Sequence, residues 1–312
     1  MSLNVCILSG GSSYEREVSF MTSSKIKENL DKTKYNIYEI EVPINPSGDW
    51  IKELIDSKPD ITIIALHGGI GENGSVQGLL NCLGFSYLGS DVLGSAIGMD
   101  KHFAKMVMRS NFIPVCDDVF IKKKDINTNY AESVNLMGYP VVVKPNCGGS
   151  GVGISFVNDE SKLYEAVKKV ADLNDDILIE KLIPGNEVTC GVVEKDGALD
   201  VMSVLDIGIT SGVYDYSARY YDVDRTKIEF STLPEYQKEM IREIAKKTFL
   251  SLECSGYARI DMIVSEEQVY VLEINTLPGM TSKSLIPKSL EGRGLNFGVF
   301  LDDLINEKLK AI

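Results

Sequence analysis

Apolar residues along this chain fall into short continuous runs separated by stretches with helical spacing, a pattern that predicts an α/β protein. A strand over Asn4–Leu8 runs into Ser9-Gly-Gly-Ser-Ser13, and a helical stretch continues to about Leu30. Extended segments at 35–42 and 61–66 alternate with helical ones, as in a small domain built on a parallel sheet. The run Ile61-Thr-Ile-Ile-Ala-Leu66 is nearly all apolar, as in a strand buried on both faces. It ends in the glycine-rich turn His67-Gly-Gly-Ile-Gly-Glu-Asn-Gly74, where open α/β sheets bind ligands. Gly84, Gly89, Gly94 and Gly98 punctuate the next stretch, and a first domain boundary is expected near residue 95.

The segment 96–180 predicts a helix from about Asp100, the strand Pro140–Lys144, a glycine loop, and a helix with Leu163, Ala166, Val167 and Val170 on one face. It closes with the apolar strand ending at Glu180. The segment 181–312 predicts strands near 188–193 and 201–207 and an irregular stretch through 230. A helix near 235–252 comes after it, with Met240, Ile241, Ile244, Ala245, Thr248 and Leu252 expected on one face. Two further apolar strands come next, and there is no internal repeat or low-complexity tract.

Those last strands carry the most informative chemistry. They read Arg259-Ile-Asp261-Met-Ile-Val and Val-Tyr-Val-Leu-Glu273-Ile-Asn275. Alternation puts Glu273 and Asn275 on one face, and pairing of the strands brings in Asp261. Such oxygen donors suit Mg²⁺, which completes its shell with waters and substrate phosphates. The same residues taken alone also read as solvated side chains at a sheet end. After Lys144, the loop Gly148-Gly-Ser150-Gly-Val-Gly153 has four glycines in six positions, so its backbone N–H groups can approach an anion closely. It has neither the Gly-Lys-Ser/Thr close of a Walker loop nor dinucleotide-site spacing, and by itself it also reads as a glycine-rich hairpin. Lys144 favours the anion cradle, because an ammonium at the end of a buried strand is costly unless paired. Lys101 offers a second cation, although a single helix lysine is usually solvated. Glu180 and Glu187 flank a linker between two sheet-bearing segments, a setting for ribose or adenine.

The bulk properties narrow the partners. Forty-five acidic against thirty-two basic residues give a net charge of −13, which argues against nucleic acid and anionic membranes as partners. The six cysteines are scattered without a Cys-x-x-Cys pair, as expected in a reducing cytosol. The first residues lack a basic signal region, and no apolar run approaches the roughly 20 residues that span a bilayer. A soluble cytoplasmic protein is expected.

Taken together, several blocks resemble the D-alanine:D-alanine ligases of the ATP-grasp superfamily. They are Gly10-Gly-Ser-Ser-Tyr-Glu15-Arg-Glu-Val18-Ser, His67-Gly with Gly71-Glu-Asn-Gly74, Met99-Asp-Lys101, Lys144 with Gly149-Ser150, Glu180-Lys181 with Glu187, Tyr214-Asp-Tyr-Ser-Ala-Arg-Tyr220, Arg259-Ile-Asp261, and Glu273-Ile-Asn275-Thr-Leu-Pro-Gly279-Met-Thr. The likeness covers essentially the whole chain in order, and the last block with Ser284-Leu285 is its most specific part.

The resemblance implies a three-domain α/β ATP-grasp fold, with a Rossmann-like parallel domain (1–95) and two α+β domains (96–180 and 181–312) that sandwich ATP. It implies two Mg²⁺ (or Mn²⁺) ions on Asp261, Glu273 and Asn275. Lys101, Lys144 and Arg219 would neutralise phosphates, while Glu180, Lys181, Ile183, Glu187 and Leu272 would hold adenine and ribose. A lid over 208–224 would exclude water. A carboxylate is a poor electrophile, so it would attack the γ-phosphate first, and the amine of a second amino acid would attack the acylphosphate. Arg259 and the Gly279 N–H would stabilise the resulting oxyanion. Glu15, Val18 and His67 would hold the first substrate, Ser284 and Leu285 the second, and Glu15, Ser150 and Tyr220 would form a hydrogen-bonded triad that positions the lid.

Arg16, Asn73, Gly151 and Arg219 depart from the commonest family pattern, and arginine does not present phosphate with the point charge of lysine. Tyr220 is retained, which favours an amine over a hydroxy acid as nucleophile. The expected activity is ATP-dependent synthesis of D-alanyl-D-alanine for peptidoglycan precursors, by a homodimer. A D-alanine:D-serine or other dipeptide ligase is an alternative within the class, and a non-catalytic nucleotide-binding sensor is one outside it.

Overall fold

A computed structural model describes residues 2–45, 47–126, 129–209 and 226–311. Three sheets organise them. The first holds β1 (Leu3–Gly10), β2 (Tyr35–Val42) and β3 (Ile61–Ile64), parallel and in the order β2-β1-β3. β1 is central, so Val5 to Leu8 are wholly buried, between α1 (Arg16–Asn29), α2 (Asp49–Ser57) and α3 (Ser75–Leu83).

α4 (Val92–Met99) and α5 (Lys101–Ser110) lead into the second sheet, and the Asp100 side chain caps α5 by accepting from Phe103 N at 3.0 Å. That sheet is antiparallel, in the order β4-β7-β5-β6, from β4 (Asp118–Ile121), β5 (Val141–Pro145), β6 (Ser155–Val157) and β7 (Ile177–Lys181). α6 (Tyr130–Met137) and α7 (Leu163–Asp172) cover one face, where Val134, Val167 and Val170 pack against Val141, Val143, Ile177 and Ile179.

The third sheet is also antiparallel, and β8 (Asn186–Lys195) and β12 (Tyr257–Val264) form its centre. β9 (Ala198–Val201), β10 (Leu205–Ile209), β11 (Thr226–Phe230) and β13 (Val269–Asn275) complete it. Even-numbered residues of β12, Ala258 to Val264, face α8 (Glu235–Ser251) and the apolar side of α5, where Ala104 and Met108 join the same core. Odd-numbered Arg259 and Asp261 therefore face the other way.

A β-bulge decides what β13 presents to them. Val269 and Val271 lie in the core with α8, which by strict alternation would hold Glu273 there too. The register shifts between Asp261 and Met262, so that Met262 opposes Val271 while Asp261 opposes Glu273. Leu272 is the extra residue, and from it onward the faces exchange: Ile274 goes into the core, and Glu273 and Asn275 join Asp261.

The chain closes with α9 (Leu285–Glu291) and α10 (Phe297–Lys310). Phe300, Leu301, Leu304 and Ile305 of α10 share one core with Val5, Ile7, Ile26 and Ile63 of the first sheet and α1. Among the described residues, no helix is long and apolar enough to cross a membrane.

Candidate active site

The second and third sheets enclose a cleft of about 650 Å³. The glycine turn between β5 and β6 forms one wall, the connection Leu182–Gly185 a second, and Asp261, Leu272 and Glu273 a third. The connection lies tight on β12, since a Cβ on Gly185 would stand 2.4 Å from the Val264 carbonyl oxygen. Ile183 and Glu187 line the cleft, whereas Lys181 turns its ammonium to the carbonyls of Gly138 (2.9 Å) and Tyr139 (3.1 Å).

Asp261 is buried and held by hydrogen bonds on both oxygens. It accepts from Arg259 Nε (2.9 Å) and Nη2 (2.7 Å), Thr189 Oγ1 (2.6 Å) and Asn275 Nδ2 (3.2 Å). Thr189 stands opposite Asp261 in the β8–β12 register, which explains its reach. Lys101 ties this carboxylate group to the glycine turn, since its Nζ donates to the Gly148 carbonyl at 2.6 Å and pairs with Glu273 Oε2 at 3.3 Å. Burial alone would lower the Lys101 pKa, but Glu273 outweighs it and the ammonium is held above its ordinary range.

Glu180 lies on the cleft floor, 3% exposed, with Lys144 Nζ 2.6 Å from Oε2 and Lys105 Nζ 2.5 Å from Oε1. Burial pushes its carboxyl up, but the two ammonium groups overcome this and bring it down to about 2. Cys147, beside the glycine turn, is pushed up to about 11 by burial, with Asp175 adding to the shift, so it packs as a neutral thiol.

The amino-terminal unit closes one end of the cleft. Ser150, at a left-handed φ of 53°, donates its hydroxyl to Glu15 Oε1. Glu15 packs close to two glycines, since a Cβ on Gly68 or Gly149 would stand 3.1 Å from Oε2. His67 Nε2 lies 2.9 Å from Thr22 Oγ1, and the ring also bonds the Leu277 backbone. Burial lowers its pKa and keeps the imidazole neutral, against the pull of Glu15. Val18 is buried on the same face of α1 as Thr22. Ser284 Oγ accepts from Thr281 N at 3.0 Å and lies 2.9 Å from where a Cβ on Gly279 would stand. Leu285 opens α9 and is buried.

Three neighbours escaped the sequence reading. Lys105 looks like an ordinary helix lysine, and only its spacing of four from Lys101 and Arg109 hints at a shared face. Glu72 was visible only as a member of the glycine-rich turn. It accepts from Gly68 N at 3.0 Å, and burial, with Glu15 adding repulsion, raises its carboxyl to about 8. Thr189 carries no local signal. Arg219 and Tyr220, with nearly all of the expected lid, lie outside the described residues.

A cleft of this kind between two antiparallel sheets, with lysines and a glycine turn facing paired carboxylates, defines an ATP-grasp ligase. Residues 107–306 match the family model of the D-ala D-ala ligase C-terminus. A D-alanine–D-alanine ligase of Bacillus anthracis is 37% identical over 309 residues, which is 99% of this chain and 98% of that protein. The crystal structure of D-alanine–D-alanine ligase from Bacillus anthracis complexed with ATP superposes with a TM-score of 0.86 at 35% identity, covering 99% of this chain and 98% of that one. The VanG D-Ala:D-Ser ligase from Enterococcus faecalis gives a TM-score of 0.85 at 28% identity, covering 99% and 100%. The chain belongs to the D-alanine–D-alanine ligase family.

Proposed function

We propose that this protein joins two D-alanines to D-alanyl-D-alanine at the expense of ATP, through a D-alanyl phosphate. The observation that carries the reading is Lys101, whose ammonium touches both Glu273 and the Gly148 carbonyl and so draws the acidic face and the glycine turn to one point. The polyphosphate lies along the glycine turn, with Lys101, Lys144 and Arg219 as its countercharges. Adenine and ribose lie against Glu180, Ile183, Glu187 and Leu272, while the Lys181 side chain, held on the Gly138 and Tyr139 carbonyls, stays out of the cleft.

The donor set suits Mg²⁺. Asp261 and Glu273 bring two carboxylates to one face, and Asn275 spends its amide N–H on Asp261, leaving its carbonyl oxygen for a cation. Among the described residues, no three of His, Cys, Asp or Glu cluster so as to hold a metal by themselves. When bound, Mg²⁺ supplies positive charge to those oxygens.

Glu15 takes the ammonium of the first D-alanine, with Val18 and neutral His67 beside it. The carboxylate of that D-alanine attacks the γ-phosphate, the bond to the bridging oxygen breaks, and ADP leaves D-alanyl phosphate behind. Ser284 and Leu285 receive the carboxylate of the second D-alanine, whose neutral amine adds to the acylphosphate carbon, loses a proton and expels inorganic phosphate. Arg259 and the Gly279 N–H face the resulting oxyanion. Ser150 orients Glu15, and Tyr220 completes the triad. The expected organisation is three domains with boundaries near 95 and 180, in a cytoplasmic homodimer serving peptidoglycan synthesis.

A nucleophile panel tests this reading. With ATP and D-alanine fixed, phosphate release is measured against D-alanine, D-serine and D-lactate, and products are identified by mass. D-Alanyl-D-alanine should dominate. ATP binding without turnover on any D-amino acid would overturn the proposal in favour of a sensor.

A further inference from the structure

Behind the cleft a line of alternating charge runs on from Lys144 and Glu180 into residues to which the roles above give no part. Arg109 pairs with Asp118, Asp118 Oδ1 lies 3.6 Å from Lys105, Lys105 pairs with Glu180, and Glu180 pairs with Lys144. Lys105 is its centre. Its side chain is only 1% exposed, and its Nζ lies 2.5 Å from Glu180 Oε1 and 3.1 Å from Cys116 Sγ. A lysine this deeply buried is expensive, and here the surrounding carboxylates hold it charged.

The geometry divides the Glu180 carboxylate between two cations. Lys105 on α5 takes Oε1 from behind, and Lys144 on β5 takes Oε2 from the cleft side. A carboxylate so held cannot rotate freely, and without a proton it can only accept hydrogen bonds. It matches the amino group of a 6-amino purine and sets lone pair against lone pair with a 6-oxo purine. A site built around a buried hydrogen-bonding group rejects a mismatched analogue far more strongly than an apolar pocket does.

We propose that Lys105 is a positioning residue that fixes Glu180 as the acceptor selecting ATP over 6-oxo purine nucleotides. The inference rests on the reading that this cleft takes ATP with its base beside Glu180. α5 is suited to the task. Ala104 and Met108 anchor it in the core of the third sheet, so Lys105 reaches the second sheet from a fixed mount.

Equilibrium binding of ATP and of inosine triphosphate to the parent and to Lys105→Met tests the proposal, with kcat measured at saturating ATP. The parent should prefer ATP by about ten- to hundredfold, the span of a hydrogen bond to a charged group. Lys105→Met should weaken ATP binding by about the factor of that preference, bring the two nucleotides to within a few-fold of each other, and change kcat much less. In a Glu180→Gln background, Lys105→Met should add nothing to the loss of preference, since Lys105 acts through Glu180. Lys105→Gln, which keeps an amide N–H donor but no charge, should fall between parent and Lys105→Met and serves if the methionine variant does not fold. A parental ATP preference in either variant, even with a lowered melting temperature, overturns the proposal and assigns Lys105 a purely structural role. If the parent binds neither nucleotide, the functional reading of the cleft fails instead.

Discussion

Ser150→Ala removes one hydroxyl and isolates the contact between the glycine turn and the amino-terminal unit. Ser150 is 6% exposed and donates to Glu15 Oε1 across the end of the cleft. A hydrogen bond to a carboxylate in such a setting is worth about 1.5–3 kcal/mol, so kcat/KM for the first D-alanine should fall by about ten- to 150-fold. Backbone strain is a competing explanation, because Ser150 sits at φ 53° and a side chain there costs about 1–2 kcal/mol. Ser150→Gly separates the two. It loses the same hydroxyl but relieves the strain, and since the added chain entropy of glycine costs about 0.5–1 kcal/mol, it should be the more stable variant by up to about 1.5 kcal/mol. Both should show the same catalytic loss in an ADP-release assay with D-alanine, while Ser150→Gly melts higher. An alanine variant within about twofold of the parent would refute the hydroxyl's role. A glycine variant that recovers activity would move the cause to the backbone.

Glu273→Gln removes a negative charge from the proposed metal face and the partner of Lys101; turnover should drop by at least about tenfold and the Mg²⁺ needed for half-maximal rate should rise, and an unchanged Mg²⁺ titration would remove Glu273 from that face. Glu72 has a folded-state pKa of about 8 against an ordinary 4.5, so its contribution to stability is present below 4.5 and is lost as pH rises through 8. Glu72→Gln should therefore gain most in melting temperature over the parent at the alkaline end, and a gain independent of pH would contradict the assignment. A Cβ on Gly94 would stand 2.4 Å from the Glu253 carbonyl oxygen, so Gly94→Ala should push α4 outward and cost about 1–3 kcal/mol in urea denaturation; a neutral result would mean that the helix shifts freely.

The elements of this fold were legible because apolar runs and helical spacings were strong and glycines marked the turns. The carboxylate face is subtler. Asp261, Glu273 and Asn275 do share a face, but not through alternation alone, because Val269 and Val271 lead strict alternation to bury Glu273. Leu272 bulges out, and a bulge leaves no signature in composition or periodicity. Lys105 was missed for a related reason: a lysine among Ala104, Met106 and Val107 looks like the wet face of a helix until the strand carrying Glu180 is placed against it. Thr189 is an ordinary strand threonine until β12 sets Asp261 opposite it. Local order is written in neighbouring residues, whereas these three features depend on partners far away along the chain.

The core that joins α10 to the first sheet bears on biogenesis. Side chains that seal Val5, Ile7 and Ile63 come from Phe300 to Ile305, far along the chain from the strands they cover. A nascent chain thus leaves the ribosome with an oily surface that waits for α10 to be made. Chaperone demand during translation, and aggregation of chains cut short before that helix, are the foreseeable costs of this wiring.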